Sequence, residues 1–204
     1  MPLTVLLVRH AACDHVGRRL AGRTPGVHLN RQGRAEAAAL AAALGELPIT
    51  AVYSGPLERA WETATPVADR LGRPVLTAPG LNELDFGDWT GRSLDSLAAE
   101  PLWRAFNEAR DTTRIPGGEL MSQVVDRAMA ELARFADEHP GGTVAAVSHG
   151  DVIRGVLLHC LGMPLHQVHR LEVAPASVSV VRLYDTAPRV LVVNWTAGGL
   201  RSWS

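Results

Sequence analysis

Residues 4–10 of this 204-residue chain read Thr4-Val-Leu-Leu-Val-Arg9-His10, an apolar and β-branched run that ends in two polar side chains with no turn residue before them. Such a run is typical of a fully buried strand in a parallel sheet. Ligands of open α/β folds gather at the carboxyl ends of these strands. Arg9 and His10 are therefore candidates for an anion-binding residue and a nucleophile or base. The alternative is a strand that merely ends in two polar side chains.

The rest of the chain alternates short apolar segments with helical patterns. Further strands are predicted at 49–53, 74–77, 143–147, 177–185 and 190–196, the last two joined by a short turn as an antiparallel hairpin. Helices are predicted at 31–45 with Asn30 as N-cap, after Pro56 to 71, from Ser93 to 110 with an interruption near Pro101, at 119–139, after Asp151 to about 161, and briefly from Pro164. This order predicts a fold of the α/β class. We expect a single domain over 1–204, with three layers (α/β/α), a mostly parallel central sheet and a C-terminal antiparallel hairpin.

The composition narrows the class of partner. A net charge of -1 does not favour nucleic acid. No apolar run reaches the roughly eighteen residues of a membrane span, and no secretory signal is apparent, so we expect no membrane contact. The two cysteines, Cys13 and Cys160, do not make a disulfide framework, which favours a cytoplasmic location.

All 20 basic residues are arginine, and lysine is absent. This excludes Schiff-base chemistry and the lysine-containing P-loop. Recognition of a phosphate or carboxylate must therefore depend on guanidinium groups, backbone amides or histidines.

A second apolar strand also ends in a histidine, in the sequence Val147-Ser-His149-Gly150, and Arg59 follows a third strand end at Ser54. If these strands are neighbours, both histidines and both arginines converge on one pocket. Gly150 would let the backbone approach a ligand, and helix N-termini at the same edge favour an anion. For any one histidine, a hydrogen-bonded core residue is the alternative, but the repeated arrangement favours a phosphate site.

Four blocks in order resemble the histidine phosphatase superfamily, which includes the cofactor-dependent phosphoglycerate mutases. The blocks are 7–10 (LVRH), 54–64 (SGPLERAWETA), 81–91 (LNELDFGDWTG) and 147–150 (VSHG), and Gly22, Leu29, Asn30 and Gly33 add to the likeness. The resemblance covers essentially the whole chain. It implies a phosphoglycerate mutase-like fold and phosphoryl transfer through a phosphohistidine, with neither metal nor cofactor.

The resemblance also implies roles for five catalytic residues. His10 would attack the phosphorus atom, while Arg9, Arg59 and His149 would hold the phosphoryl group. Glu83 would protonate the leaving oxygen and later accept a proton from water. The nearby acids Asp85 and Asp88 are alternatives for this last role. The substrate contacts implied are these five residues together with Gly22, Arg23 and Gly150.

The chain departs from the family pattern beside the nucleophile. The usual glycine after the nucleophile is Ala11, and Cys13 and Val16 replace two neutral phosphate donors, a Thr or Ser and an Asn. Replacement donors could come from His15, Arg18, Arg19 or Arg23. A further group of residues could cover the pocket: Arg104, Arg110, Arg114 and His15. The alternative is that these side chains belong to the solvated surface.

The segment after Glu83 is short and contains no lysine. Mutases of the family carry a longer, basic insertion at this point, so the resemblance favours the phosphatase branch. We therefore predict a phosphomonoester phosphatase acting on a small phosphorylated metabolite. Three alternatives stay open: a phosphoglycerate-type mutase, a non-catalytic phospho-ligand module on the same fold, and a metal site at His10, Cys13, Asp14 and His15. The chain could be a monomer or a homodimer, with an edge contact at the C-terminal hairpin and residues 200–203.

Overall fold

The computed structural model describes residues 1–199. Six strands form one sheet: β1 Leu3–Arg9, β2 Ala51–Ser54, β3 Val75–Thr77, β4 Thr143–Ser148, β5 Val178–Leu183 and β6 Arg189–Trp195. Six α-helices accompany them: α1 Arg31–Leu44, α2 Glu58–Leu71, α3 Leu94–Ala98, α4 Pro101–Glu108, α5 Met121–Glu138 and α6 Gly150–Leu161. Short 3-10 turns lie at Pro79–Leu81, Gly87–Trp89 and Leu165–Arg170.

The strand order is β3-β2-β4-β1-β5-β6. Strands β1 to β4 are parallel to one another, and β5 runs antiparallel to β1 and to β6. The predicted hairpin is thus confirmed, and the structure adds that it completes the sheet beside the strand that ends in His10. This arrangement confirms the predicted α/β fold with its mostly parallel sheet.

Two apolar layers enclose the sheet because successive side chains of a strand point to opposite faces. On one face, Leu6 and Val8 of β1 pack with α1 and α2. On the other, Leu3, Val5 and Leu7 pack with α5, α6 and the segment around α4. Polar groups at the strand ends therefore lie between two rigid layers, which fixes their positions.

Two predicted helix boundaries have clear local causes. Asn30 caps α1 by accepting a hydrogen bond from the backbone N–H of Gly33 at 2.9 Å, as predicted. α2 ends at Gly72, whose left-handed φ of 62° suits a residue without a side chain. None of the helices within residues 1–199 has both the length and the apolar character needed to cross a bilayer. The suggested edge contact at residues 200–203 lies outside the described residues.

Candidate active site

The ends of β1, β4 and β2 meet at one edge of the sheet. Arg9 is in register with Ser148, and the backbone N–H of His10 donates to the Ser148 carbonyl at 2.9 Å. The rings of His10 and His149 consequently lie with centroids 5.2 Å apart. A cavity of about 280 Å³ opens at this edge. The predicted site residues on its wall are Arg9, His10, Gly22, Arg59, Glu83 and Gly150.

The contacts of His10 determine which of its ring nitrogens is unprotonated. Its side chain is buried, and Nδ1 lies 2.8 Å from the carbonyl oxygen of Ala11. Because a carbonyl only accepts, Nδ1 must carry the hydrogen, which leaves the lone pair on Nε2. Burial, followed by the charges of Arg59 and Arg9, lowers the pKa of His10 well below its usual value. The ring is therefore neutral at physiological pH, as a nucleophilic imidazole must be.

The two arginines are each fixed by one backbone carbonyl and have further donors free. Arg59, which is 1% exposed, donates through Nη2 to the Gly22 carbonyl at 2.7 Å. Arg9 donates through Nη1 to the Val173 carbonyl at 2.6 Å. Within the described residues, Nη1 of Arg59 and Nε of Arg9 have no hydrogen-bond partner. A buried donor without a partner costs free energy, so an oxyanion in the cavity would satisfy both groups.

His149 lies beside His10 but is not among the residues that line the cavity. It precedes α6 as the N-cap residue and is fully buried, and within residues 1–199 neither of its ring nitrogens has a hydrogen-bond partner. Burial is the main cause that lowers its pKa well below the usual value, with Arg59 next. A phosphoryl oxygen would satisfy one nitrogen, and its negative charge would favour the protonated ring.

Glu83 has the properties of a proton donor. Its Oε1 accepts from the N–H of Leu84 at 2.9 Å, and Oε2 lies 3.6 Å from Nδ1 of His149. Burial raises the pKa of Glu83 to about 7, and the charge of Asp151 adds to this effect. The other two candidate acids, Asp85 and Asp88, do not line the cavity. One carboxylate oxygen of Asp85 accepts instead from the N–H of Gly87.

An arginine that the sequence did not single out fixes the acid loop. Arg127 on α5 donates through Nη1 to the carbonyls of Gly80 and Asn82, each at 2.6 Å, and through Nη2 to that of Glu83 at 2.9 Å. Glu119 accepts from the same guanidinium at 3.1 Å. Nothing in the amphipathic pattern of α5 distinguishes this residue from a solvated arginine.

Arg23, for which the resemblance implies a substrate contact, is not among the residues that line the cavity. Its Nε donates to the Glu83 carbonyl at 2.9 Å, and its guanidinium pairs with Glu119 at 2.8 Å and Asp85 at 3.4 Å. The opposite charges of these acids hold the side chain behind the loop. Arg23 therefore supports the position of Glu83.

The segment after His10 is held by two close contacts. Thr63 accepts from the N–H of Ala11 at 3.0 Å and donates to the Arg59 carbonyl at 2.7 Å, which joins the nucleophile loop to α2. A side chain at Gly33 would place its Cβ 2.0 Å from the Ala12 carbonyl oxygen, so only glycine allows α1 to approach this loop. Thr63 lies within block 54–64 of the family resemblance, but the resemblance implies no role for it.

Two of the three departures from the family pattern beside His10 fall on the cavity wall. Cys13 and Val16 line the cavity. His15 and Arg19 line it too, so His15 and Arg19 stay candidates for the replacement donors. Of the residues suggested to cover the pocket, Arg110 and His15 line the cavity. Three other arginines do not: Arg18, Arg104 and Arg114. Among residues 1–199, no group of three or more His, Cys, Asp or Glu side chains is placed to hold a metal ion.

Several known proteins are similar in sequence. "Phosphoglycerate mutase-like protein 4" of Arabidopsis thaliana is 35% identical over 188 residues, covering 89% of this chain and 80% of that protein. A "Probable phosphoglycerate mutase GpmB" of Cronobacter sakazakii is 33% identical over 201 residues, covering 97% and 89%.

Several solved structures are similar in fold. A mycobacterial glucosyl-3-phosphoglycerate phosphatase is similar with a TM-score of 0.86 and 26% identity, over 95% of this chain and 99% of that chain. Bacillus stearothermophilus YhfR is similar with a TM-score of 0.87 and 27% identity, over 93% and 96%. Residues 5–196 match the family described as the histidine phosphatase superfamily (branch 1). The chain belongs to this superfamily.

Proposed function

We propose that the protein is a metal-independent phosphomonoester phosphatase that acts on a small phosphorylated metabolite through a phosphohistidine. The observation that carries this proposal is the free Nε2 lone pair of His10, which borders a cavity shared with the partly unpaired guanidinium groups of Arg9 and Arg59. The similar mycobacterial structure is, by its description, a phosphatase.

In the first step, Nε2 of His10 forms a bond to phosphorus as the ester P–O bond breaks. Protonated Glu83 gives its proton to the leaving alkoxide, so that a neutral alcohol departs. Arg9 and Arg59 offset the charge on the equatorial oxygens, which is the main requirement of phosphoryl transfer. The Nδ1–H bond to the Ala11 carbonyl stabilises the positive charge that develops on the ring.

In the second step, the Glu83 carboxylate takes a proton from water as the water oxygen attacks phosphorus. The N–P bond breaks and its electron pair returns to Nε2, which restores neutral His10 and releases inorganic phosphate. A pKa of about 7 suits this cycle, because Glu83 must alternate between donor and acceptor near neutral pH.

A phosphomutase is the second candidate, because relatives at 35% and 33% identity carry mutase names. In that reaction a substrate hydroxyl, rather than water, accepts the phosphoryl group from His10. The residues described above serve both reactions. The acceptor depends on how well the cavity excludes water.

The test is phosphate release from an aryl phosphate and from simple alkyl phosphates, with and without a chelator. We expect release that the chelator does not change. Quenching a turnover of labelled substrate is expected to trap an acid-labile phosphohistidine on His10. Loss of activity with chelator would contradict the metal-independent mechanism. Isomerisation of phosphoglycerate without phosphate release, followed by 31P NMR, would support the mutase instead.

We expect Asp151→Asn to move the alkaline limb of the pH profile to lower pH. Glu83 must be protonated to donate, so kcat/KM falls as the pH rises through its pKa. Asp151 contributes to the raised pKa of Glu83, and removing its negative charge lowers that pKa. The measurement is kcat/KM for 2-hydroxyethyl phosphate between pH 5 and 9, a range of about two pH units on either side of the pKa of about 7.

Glu172→Gln is the matched control for this shift. Asp151 and Glu172 both pair with Arg154, at 3.5 Å and 3.6 Å, but the side chain of Glu172 is 69% exposed, so solvent screens its effect on the pKa of Glu83. Its profile should overlay that of the wild type. An Asp151→Asn limb that stays in place, or moves to higher pH, would show that Asp151 does not tune Glu83.

We expect Arg127→Met to lower kcat by roughly 10- to 100-fold with little change in KM, because a small displacement of a catalytic group has an effect of this order. Methionine keeps the aliphatic length but removes the three carbonyl contacts that hold the Glu83 loop. Arg134→Met, a partly exposed arginine on the same helix, should have wild-type kcat. Equal losses in both variants would indicate a general effect on α5.

A further inference from the structure

We propose that Asn194 on β6 is a positioning residue for Arg9 and acts on it through a single peptide group of segment 171–177. This segment joins the 3-10 turn Leu165–Arg170 to β5. Asn194 is not among the residues that line the cavity. The inference rests on the phosphoryl-binding role of Arg9 in the proposed function and names a distant residue that fixes this role.

The peptide group between Val173 and Ala174 has a hydrogen-bond partner at each end. Its carbonyl oxygen accepts from Nη1 of Arg9 at 2.6 Å, and its N–H donates to Oδ1 of Asn194 at 2.7 Å. The peptide is trans and planar, so its C=O and N–H point in opposite directions and can only turn together. Asn194 therefore fixes the direction of the carbonyl that holds Arg9. Hydrogen bonds in such a chain also polarise one another, which strengthens the bond to the guanidinium.

The backbone of β6 directs the Asn194 side chain towards this peptide. Val193 and Asn194 together oppose the single residue Ser179 of β5, which makes a β-bulge. The φ of Asn194 is 57°, in the left-handed region that asparagine adopts more readily than most residues with a side chain. Its N–H donates to Oγ of the buried Ser179 at 3.1 Å. A bulge of this kind changes the direction of a side chain, here from the strand towards segment 171–177.

Other contacts hold the two ends of the segment. Nε of Arg154 donates to the Leu171 carbonyl at 3.0 Å, and the N–H of Arg9 donates to the Ser177 carbonyl at 3.0 Å. These contacts do not involve the side chain at position 194. Loss of the Asn194 amide would therefore free the peptide between residues 173 and 174 and leave the segment attached at both ends.

The direction of the Arg9 guanidinium matters for phosphoryl transfer. Arg9 lines the cavity, and within residues 1–199 its Nε has no hydrogen-bond partner. The N–H groups of a guanidinium form a rigid fork, so a turn of the carbonyl at one end moves the donors that face the cavity. A poorly directed fork binds phosphate less well, and it loses more in the transition state, where charge develops on the equatorial oxygens.

The test compares two substitutions of Asn194 in the full-length protein. Asn194→Gly removes Oδ1 and accepts the left-handed φ without strain, whereas Asn194→Asp keeps an acceptor oxygen. We expect Asn194→Gly to weaken the binding of inorganic phosphate, measured by calorimetry, by about 3- to 10-fold, the effect of one hydrogen bond. Its kcat/KM for an aryl phosphate should fall by about 10- to 100-fold. Asn194→Asp should stay within about threefold of the wild type in both measurements.

A double-mutant cycle with Arg9→Met separates positioning from a general effect on the fold. Without a guanidinium there is nothing to direct, so adding Asn194→Gly to Arg9→Met should change kcat/KM by less than about twofold. Val193→Gly is the control for a glycine in β6, because Val193 is exposed. It should bind phosphate as the wild type does.

Thermal melts check that each variant folds, and Asn194→Ala carries the same expectations if Asn194→Gly does not. Equal losses from Asn194→Gly with and without Arg9 would overturn the positioning role. Wild-type phosphate binding by Asn194→Gly, or no recovery in Asn194→Asp, would overturn it as well. Failure of the wild type to release phosphate from any phosphomonoester would instead overturn the proposed function.

Discussion

The His10→Asn variant is expected to lose phosphate release by about 10⁴-fold or more, an effect of the order seen when a covalent nucleophile is removed. The asparagine amide can still donate to the Ala11 carbonyl, where Nδ1–H donates now, but it offers no lone pair at the position of Nε2. The first P–N bond cannot form, so we expect no phosphoenzyme in a quenched turnover and no burst of alcohol.

His159→Asn provides the matched control for this loss. His159 lies on α6 and is exposed, away from the cavity wall, so its variant should release phosphate at the wild-type rate. Phosphate release by His10→Asn within tenfold of the wild type would rule out His10 as the nucleophile. A trapped phosphohistidine that maps to another residue would have the same consequence.

Glu83→Gln should give the second largest loss, and its size should depend on the leaving group. For alkyl phosphates we expect a decrease in kcat/KM of about 10²- to 10⁴-fold, the usual range for general acid catalysis. For an aryl phosphate the decrease should be much smaller, because a phenolate leaves without a proton. The wild-type alkaline limb, set by the pKa of about 7, should be absent from the variant.

Asp85→Asn tests whether another acid of the loop can take this role. Asp85 lies outside the cavity wall, where it accepts from Gly87 and pairs with Arg23. Its variant should keep the difference between aryl and alkyl substrates seen in the wild type. If Asp85→Asn, rather than Glu83→Gln, abolished the alkaline limb, the assignment of the acid would be wrong.

Much of this site could be predicted because its residues follow strand ends. An apolar run that ends in a histidine is visible in one sequence, and two such runs in one α/β domain place their histidines at the same sheet edge. The structure brings together His10, His149, Arg9, Arg59 and Glu83 as expected. All of these except His149 lie on the cavity wall, as do Gly150 and Gly22.

Other parts could not be predicted, because they depend on contacts between distant segments. Arg127 reaches the acid loop only when α5 packs against residues 79–81, and no local pattern signals this. The resemblance implies a substrate contact for Arg23, whereas three-dimensional contacts direct its side chain to Glu119 and Asp85. Asp151 had a weak signal, since it is an acid two residues after a strand-end histidine, but its effect on Glu83 requires the folded cavity.

The central position of β1 has a consequence for biosynthesis. β1 is made before the other five strands of the sheet, yet both neighbours that align it, β4 and β5, lie beyond residue 142. The residues from Val5 to Val8 therefore wait for both of these partners until β4 and β5 are made, and pairing over such sequence separations is slow. His10 can thus meet His149 only after β4 has emerged, and β1 gains its second neighbour only after residue 183 has emerged.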